Sequence, residues 1–247
     1  MAGRTTKTQA VVLRSLRLGE ADRVLHLYTL SGGRIGAVAK GIRKTKSRFG
    51  ARLEPLSHVE LMLHHGSGEL RTITGVDLVR PHAATREQAY RLSVGLIGAE
   101  AMLRLFTEQE GNSRAFEAIT RFLDLTDELE PRGSRPALDP LALSFQLKLL
   151  WLSGYQPHTE SCAECGAAPP LHGYLPKAGG GVCRACSAGA IGVSPSAFGA
   201  IDALLHRPLA EAAGIGLTER DARETLALIG ASYEFHGGFR LRTLKSA

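Results

Sequence analysis

All four cysteines of the chain fall in two Cys-x-x-Cys pairs. Cys162 and Cys165 form the first pair, Cys183 and Cys186 form the second, and seventeen residues lie between the pairs. A gap of two residues lets both thiolates of a pair reach one ion from a tight turn. Two such pairs complete a tetrahedral shell of four sulfurs, which suits Zn2+ and leaves no open position for a substrate. The spacing therefore predicts one structural zinc ion.

Two other uses of paired cysteines are less consistent with this sequence. A disulfide framework is typical of small secreted domains, whereas this chain has 247 residues and begins with a polar, basic segment unlike a signal peptide. A redox dithiol usually needs only one pair. His158 and His172 flank the cysteines, and we expect them to be bystanders because four thiolates already complete the shell.

The densest positive charge lies in residues 40–52, which contain six cations and no acid. Closely spaced Lys and Arg side chains neutralise successive phosphates and release counterions, so binding is tight at low salt and indifferent to sequence. We therefore predict a surface that binds nucleic acid, and the alternative is a charged loop exposed to solvent with no ligand. Its predicted residues are Arg23, Arg34, Lys40, Arg43, Lys44, Lys46, Arg48 and Arg52.

Two aromatic residues accompany these cations. Tyr28 and Phe49 could supply stacking faces for unpaired bases. For Phe49, packing in a hydrophobic core is the commoner use of such a side chain.

Motifs that resemble catalytic sites are incomplete. Residues 36–41 have the glycine spacing of a phosphate-binding loop, but Ile42 and Arg43 follow in place of Lys and Ser/Thr. His58 and Glu60 match the His-x-Glu of zinc deaminases, yet neither Cys-x-x-Cys pair directly follows a proline. The residues present no convincing nucleophile or acid–base pair, so we predict that the protein is not an enzyme.

Composition and charge narrow the class of protein further. The apolar fraction of 44% and the charged fraction of 22% are ordinary for a globular chain, and no apolar run reaches the ~20 residues that span a bilayer. We expect a cytoplasmic protein. The net charge of +6 is uneven, because residues 1–80 carry fourteen cations against six acids. A polyanion is therefore the expected partner of the amino-terminal part.

The chain divides into a strand-rich part and a helical part. Short strands are predicted at 9–16, 23–30, 34–39, 59–64 and 70–76, which suits a small five-stranded barrel. Helical patterns follow at 85–106, 112–129, 141–152, 195–206 and from 218 to about 237. We expect Thr85 and Gln88 to cap the first helix. A stripe on that helix should face the core, and it consists of Leu92, Leu96, Ala99, Leu103 and Phe106. Residues 141–152 are apolar nearly all round, which predicts a central buried helix.

The residues of the amino-terminal part resemble the RecO family of bacterial DNA repair proteins. The resemblance is carried by AVVL at 10–13, LGEADR at 18–23, AVAKGIRK at 37–44, KSRF at 46–49 and LEPL at 53–56. It is strong to about residue 80 and around the cysteines, and weaker in the helices between them. The resemblance implies an α+β multidomain protein with an amino-terminal five-stranded OB-fold barrel, then an α-helical bundle with an embedded four-cysteine zinc module.

On this basis we expect four regions. They are an OB-fold nucleic-acid-binding domain at 1–80, a first helical part at 81–157, the four-cysteine zinc module at 158–190 and a carboxy-terminal helical part at 191–247.

The resemblance also implies a function and a set of partners. Family members bind single- and double-stranded DNA and anneal complementary strands. With RecR, and in many bacteria RecF, they help load RecA on strands coated by single-strand-binding protein, whose acidic tail contacts the helical part. Arg91, Arg104 and Lys148 are candidates for that contact, although each is more often a solvated helix charge.

Two other functions fit the same residues. One is an RNA-binding protein with an OB fold and a zinc ribbon, because nothing in the sequence identifies a reader of the 2′-hydroxyl. The other is an adaptor whose basic face meets acidic proteins. A weak dependence of binding on salt and the absence of strand annealing would favour the adaptor.

Overall fold

The computed structural model describes residues 4–47, 49–66, 68–107 and 110–246, except for the side chains of residues 245 and 246. Five strands open the chain and close into a barrel in the order β1-β2-β3-β5-β4. They are β1 (Thr5–Leu18), β2 (Asp22–Thr29), β3 (Gly33–Ala39), β4 (His58–His64) and β5 (Arg71–Arg80). All pairs are antiparallel except β3 with β5, so the order is OB-like. The predicted strands and barrel are confirmed.

Side chains alternate between the two faces of the barrel wall. In β4, Val59, Leu61 and Leu63 are completely buried inside the barrel, while the residues between them point outward. The inner cluster is closed at one end by Phe49 and Leu53, which belong to the segment after β3. The barrel thus has its own hydrophobic core.

A second hydrophobic cluster joins the outside of the barrel to the helices. Val11, Leu13 and Tyr28 lie on the outer face of β1 and β2 and are buried with residues of the helical part. This packing fixes the barrel against the helical bundle. The helices are α1 (Ala83–Glu87), α2 (Ala89–Leu105), α3 (Ser113–Glu128), α4 (Pro140–Leu152), α5 (Pro195–His206), α6 (Glu219–Gly237) and α7 (Thr243–Ser246).

The first predicted helix differs from the observed one at its start. Gln88 has an extended backbone and separates α1 from α2, so the predicted capping pair is wrong. Instead, the backbone N–H and the hydroxyl of Thr85 both donate to Asp127 of α3, at 2.7 and 3.0 Å. A tertiary contact has replaced the local cap.

The buried face of α2 overlaps the predicted stripe only in part. Ala99 is buried, and Leu92, Leu103 and Phe106 pack against the core while partly exposed. Leu96 is 36% exposed, and the buried residues centre instead on Val94, Ile97 and Met102. Gly98 belongs to this face, because a Cβ atom there would collide with the ring of Phe122 in α3. Because a pattern of large apolar residues does not count glycine, the prediction missed the centre of this face and assigned Leu96 to the core.

The other helices match their predictions closely. In α4, every residue from Pro140 to Leu147 is buried, as expected for a central helix. Helix α6 begins with a capping box in which Thr218 and Asp221 exchange hydrogen bonds between side chain and backbone. Between α4 and α5 lies a small sheet of β6 (Gly173–Leu175), β7 (Gly180–Val182) and β8 (Ile191–Gly192), with one cysteine pair before β6 and the other directly after β7. None of the described helices is both long and apolar enough to cross a membrane.

Candidate metal centre and nucleic-acid surface

The two cysteine pairs meet at one point. The sulfur atoms of Cys162, Cys165, Cys183 and Cys186 all lie within 4.8 Å of one another, and the Sγ atoms of Cys165 and Cys183 are 3.8 Å apart. A tetrahedral zinc ion with Zn–S bonds of ~2.3 Å separates its sulfurs by about 3.8 Å. The four cysteines are therefore positioned to hold a metal ion.

Tight turns present each pair of sulfurs. After Cys162 the chain reverses through Gly166, whose backbone is left-handed at φ 74° and whose N–H donates to the carbonyl of Cys162. In the second pair, the N–H of Cys186 donates to the carbonyl of Cys183 at 3.1 Å. These turns bring the two thiols of each pair to the same side of the backbone.

The electrostatics of the cluster favour a bound cation. A backbone hydrogen bond from the N–H of Cys183 lowers the pKa of Cys162 to about 6. Hydrogen bonds with neighbouring thiols, first that of Cys165, raise the pKa of Cys186 to about 12. Four thiolates this close repel one another, so a fully ionised set requires a positive charge among them.

The histidines beside the cysteines lie outside the group of possible ligands. His158 is close to the hydroxyl of Ser161, with Nε2 and Oγ 2.8 Å apart, and the metal-ligating group found among the described residues contains cysteines only.

The small sheet beside the cysteines contacts the helical bundle. Tyr174 of β6 is buried, and its hydroxyl lies 2.7 Å from that of Ser232 in α6. The module is thereby attached to the helical bundle.

The basic segment after β3 is anchored at both ends. Its start is fixed by the N–H of Gly41, which donates to Asp22 at 2.7 Å, and by the N–H of Arg43, which donates to the carbonyl of Ala21. At the other end, Phe49 is 1% exposed and packs in the barrel core. Among the described residues, those up to 47 form an arch at the tip of the β1–β2 hairpin.

Four of the predicted DNA-binding residues lie on this arch. We call residues 40–47 the basic loop. The side chains of Lys40, Arg43, Lys44 and Lys46 are exposed. Arg43 also donates from its guanidinium to the carbonyl of Glu20 at 2.8 Å, which holds it near the hairpin tip. Arg48, the next predicted residue, lies outside the described residues.

The three remaining predicted residues take part in contacts within the protein. Arg52 donates to the carbonyls of Phe49 and Val76, which fastens the end of the arch to the barrel. Arg34 donates to the carbonyl of Leu103 at the end of α2, 2.9 Å away. A third contact joins Arg23 to the hydroxyl of Ser15 at 3.0 Å. Their contact with DNA stays a prediction.

Several other predicted contact residues are buried or half-buried. Tyr28 is only 1% exposed, so its expected role as a stacking face for bases is wrong, and the core packing expected of Phe49 is confirmed. Arg91 is buried and donates to the carbonyls of Thr126 and Asp127. The ammonium of Lys148 donates to two carbonyls at the end of α5. Arg91 and Lys148 therefore stabilise the helical bundle, and this role requires no partner protein.

A second basic surface was not expected from the sequence. A groove of about 420 Å3 lies between β1, α2 and the carboxy-terminal segment, and we call it the junction groove. Arginines from all three elements line it, namely Arg14, Arg104 and Arg242. These residues are far apart in the sequence, and no local run of charge could have revealed their proximity.

Two family models match the chain, one over the barrel and the other over the helical part. A sequence model described as "Recombination protein O N terminal" matches residues 1–82, and one described as "Recombination protein O C terminal" matches residues 86–245. The chain belongs to the RecO family. This family consists of DNA repair mediators and is not a known enzyme family.

Relatives in the RecO family align with nearly the whole chain. A protein named DNA repair protein RecO from Rubrobacter xylanophilus is 40% identical over 220 residues, which is 86% of each chain. Proteins of the same name from Frankia casuarinae and Thermobifida fusca are 37% and 34% identical over 243 residues. These alignments cover 96% and 97% of this chain, respectively, and 96% of each relative. The resemblance noted in the sequence is therefore confirmed over both the barrel and the helices.

Proposed function

We propose that the protein is a recombination mediator that binds single- and double-stranded DNA and anneals complementary strands without hydrolysing a nucleotide. Membership of the RecO family supports the role in repair. The exposed basic loop supports the contact with DNA, because it presents four cations on a segment fixed at both ends. Such an arrangement binds the phosphate backbone whatever the base sequence.

The basic loop is the observation that carries this proposal. A flexible charged loop would lose conformational entropy on binding, whereas this arch is already held by backbone hydrogen bonds at Gly41 and Arg43 and by the buried ring of Phe49. Neutralised phosphates no longer repel a second strand, so complementary bases can pair. Annealing in this manner requires no chemical step.

We further propose that the four cysteines hold one structural zinc ion. Their spacing, their sulfur separations and the soft thiolate donors fit Zn2+, and a four-sulfur shell leaves no position for substrate. When bound, the ion supplies a fixed positive charge that holds the two turns together. The module would then keep β6–β8 in place against α6 through Tyr174.

The partners of the protein are part of the same proposal. RecR, single-strand-binding protein and, in many bacteria, RecF would act with it to help load RecA on coated strands. Of the three helical cations expected to contact the acidic tail of single-strand-binding protein, Arg104 is the one whose side chain is exposed. We place the activity in the cytoplasm, near the nucleoid.

The basic loop is tested by changing Lys40, Arg43, Lys44 and Lys46 together to Ala. Binding to single-stranded DNA should weaken for every sequence, and the slope of log K against log salt should fall by about 3 because four phosphate contacts are lost. Fluorescence anisotropy of a labelled oligonucleotide at several salt concentrations measures both quantities. If the variant keeps the affinity and the salt slope of the wild type, the basic loop does not bind DNA.

The same assay separates DNA from RNA as the ligand. Competition between DNA and RNA strands of matched sequence at fixed salt should show no large preference for RNA, because contacts to phosphate do not involve the 2′-hydroxyl. Strong preference for RNA would support the alternative of an RNA-binding protein. Measured annealing of strands coated with single-strand-binding protein tests the complete proposal.

A further inference from the structure

An apolar groove lies between the cysteine module and α5, and we call it the module groove. Its volume is about 460 Å3, within the range of binding sites in proteins, and none of the described barrel residues lines it. One wall consists of residues 159–160 and 169–171, which flank the first cysteine pair in the sequence. The other wall is the first half of α5.

Prolines make the exposed walls of the module groove mainly apolar. Pro169, Pro170 and Pro195 are all exposed, and beneath them Leu171 and Phe198 are buried. The ring of a proline fixes its backbone angle φ, so these walls are rigid. A partner that binds here therefore orders little of the groove, which favours affinity.

Gly199 leaves an open seat on the helical wall of the groove. A Cβ atom at this position would have no neighbouring side chain or element within 4 Å. Because glycine costs a helix interior ~1 kcal/mol relative to alanine, helix propensity does not account for it. The bare backbone lets a large side chain of a partner approach α5 closely.

The charged residues of the lining are both acids. Glu160 and Asp202 are exposed on opposite walls of the groove. Asp202 lies 3.0 Å from Nδ1 of His206, which adds a positive charge only when it is protonated. Since the whole chain has a net charge of +6, the sign of this groove is opposite to that of the molecule.

The amino terminus of α5 does not reverse this negative charge. A helix start carries a partial positive charge, but carboxylates already occupy this one. Glu224 accepts hydrogen bonds from the backbone N–H and the hydroxyl of Ser194, at 2.7 and 2.6 Å. Asp221 accepts a hydrogen bond from the hydroxyl of Ser196 at 2.7 Å. The one arginine at this point, Arg220, pairs with Glu224 on the side of α6.

We propose that the module groove binds an extended basic segment of a partner protein. A large apolar side chain of that segment rests on Gly199, and Lys or Arg side chains beside it face Glu160 and Asp202. Complementary charge selects a basic partner and repels the phosphates of DNA. The groove is separate from the basic loop, so the inference does not depend on DNA binding.

A second copy of this chain is a poorer occupant than a different protein. Its basic loop supplies cations, but the large apolar residue of that loop, Ile42, packs against the barrel core. The loop therefore has no free apolar side chain to place on Gly199.

A peptide array tests the chemistry of the occupant. Full-length protein is applied to short peptides whose central residue is varied and whose flanks on both sides are Lys, Ser or Glu. We expect Lys-flanked peptides with a central Leu, Met or Phe to bind best, and their binding to weaken as salt rises. Fluorescence anisotropy of the best peptide then gives its affinity for each variant.

Two variants test the seat and the rim of the groove separately. G199L fills the seat and should lower the affinity at least about tenfold. Its melting temperature should not fall, because leucine favours a helix more than glycine does. E160Q/D202N keeps the shape of the groove but removes its charge, and should lower the affinity at least about fivefold.

Each variant has a matched control. G230L makes the same change at a glycine of α6 that also has open space around its Cβ position. E87Q/E117Q removes two exposed acids from α1 and α3. Both controls should bind the peptide like the wild type.

The array and the variants can each contradict the inference. It is wrong if no peptide binds, if Glu-flanked peptides bind best, or if G199L binds as tightly as the wild type. A dimer seen by sedimentation that G199L abolishes would assign the groove to a second copy instead. All variants should bind an oligonucleotide within about twofold of the wild type. Failure of the wild type to bind any oligonucleotide would reject the proposed function and leave this inference standing.

Discussion

His82 joins the barrel to the helical bundle through both of its ring nitrogens. Nδ1 lies 2.7 Å from the carbonyl oxygen of Leu56, and Nε2 lies 3.0 Å from Oδ1 of Asp124 in α3. The ring is 2% exposed, so water does not replace these partners. Asp124 also accepts a hydrogen bond from Arg80, at the end of β5. A single carboxylate therefore stabilises the point where the barrel ends.

Replacing Asp124 with Asn should lower the free energy of unfolding at pH 7 by about 1–3 kcal/mol, because a buried ring nitrogen loses a charged partner. Urea unfolding followed by circular dichroism measures the change. E117Q, on an exposed position of the same helix, is the matched control and should unfold like the wild type. Equal stability of D124N and E117Q would contradict this role of Asp124.

The pH dependence of the same variant follows from the pKa of Asp124. Burial raises this pKa, but the hydrogen bonds from His82 and Arg80 outweigh burial and hold it below the ordinary value. The ionised group thus contributes stability above the unfolded pKa of ~3.9, and the contribution is lost as pH falls through the lowered folded value. The difference in stability between wild type and D124N should therefore shrink below about pH 4.

The elements of the helical part were predicted most accurately where their signals are local. Helices α3 and α6 begin within one residue of their predicted starts at 112 and 218, and the side chains of Asn112 and Thr218 cap the first turns. The start of α2 was wrong because the hydroxyl of Thr85 contacts Asp127, a residue of another helix. Local cap rules contain no information about such a partner.

Replacing Cys162 and Cys183 with Ser should remove bound zinc and lower the melting temperature by on the order of 10 °C, equal to a few kcal/mol in a chain of this size. Metal analysis and calorimetry measure the two effects. Affinity of the basic loop for DNA should change by less than about twofold, because the loop is anchored to the barrel.

H158A is the control for that experiment, since His158 lies beside the cysteines but outside the group of possible ligands. It should keep its zinc and its melting temperature. If the cysteine variant keeps its fold but no longer anneals strands, the zinc module has a direct role in annealing as well as a structural one.

The barrel and the helices form one packed molecule. The outer face of the barrel contributes Val11, Leu13 and Tyr28 to the same hydrophobic cluster as α2, α3 and α4. Arg34 adds a hydrogen bond from β3 to the carbonyl of Leu103 at the end of α2. We expect the two parts to unfold together for this reason, and Arg34 to matter more for that contact than for DNA.

Arg34 can be tested against Lys44, which is exposed on the basic loop. R34M should lower the free energy of unfolding by about 1.5–3 kcal/mol, the usual contribution of a hydrogen bond from a charged group. Its effect on DNA affinity should be smaller than that of K44A, which removes the same charge. If R34M is as stable as the wild type but loses as much DNA affinity as K44A, Arg34 belongs to the DNA-binding surface.

The sequence by itself determined the features that depend on neighbours along the chain. The spacing of the cysteines, the strand at 59–64, the starts of α3 and α6 and the charge of the basic loop could be predicted, because each involves contacts or periods of a few residues. The family resemblance followed from motifs of the same local kind.

Only the tertiary structure decided which distant residues meet. The bulge in β1 turns Arg14 outward, against the alternation that its sequence predicts. Gly98 places the buried face of α2 where a ring of α3 can approach, so that Leu96 is left half-exposed beside Arg104. Packing between elements determines both outcomes. Its free energy depends on partners that are distant in the sequence, and local propensity contains no information about them.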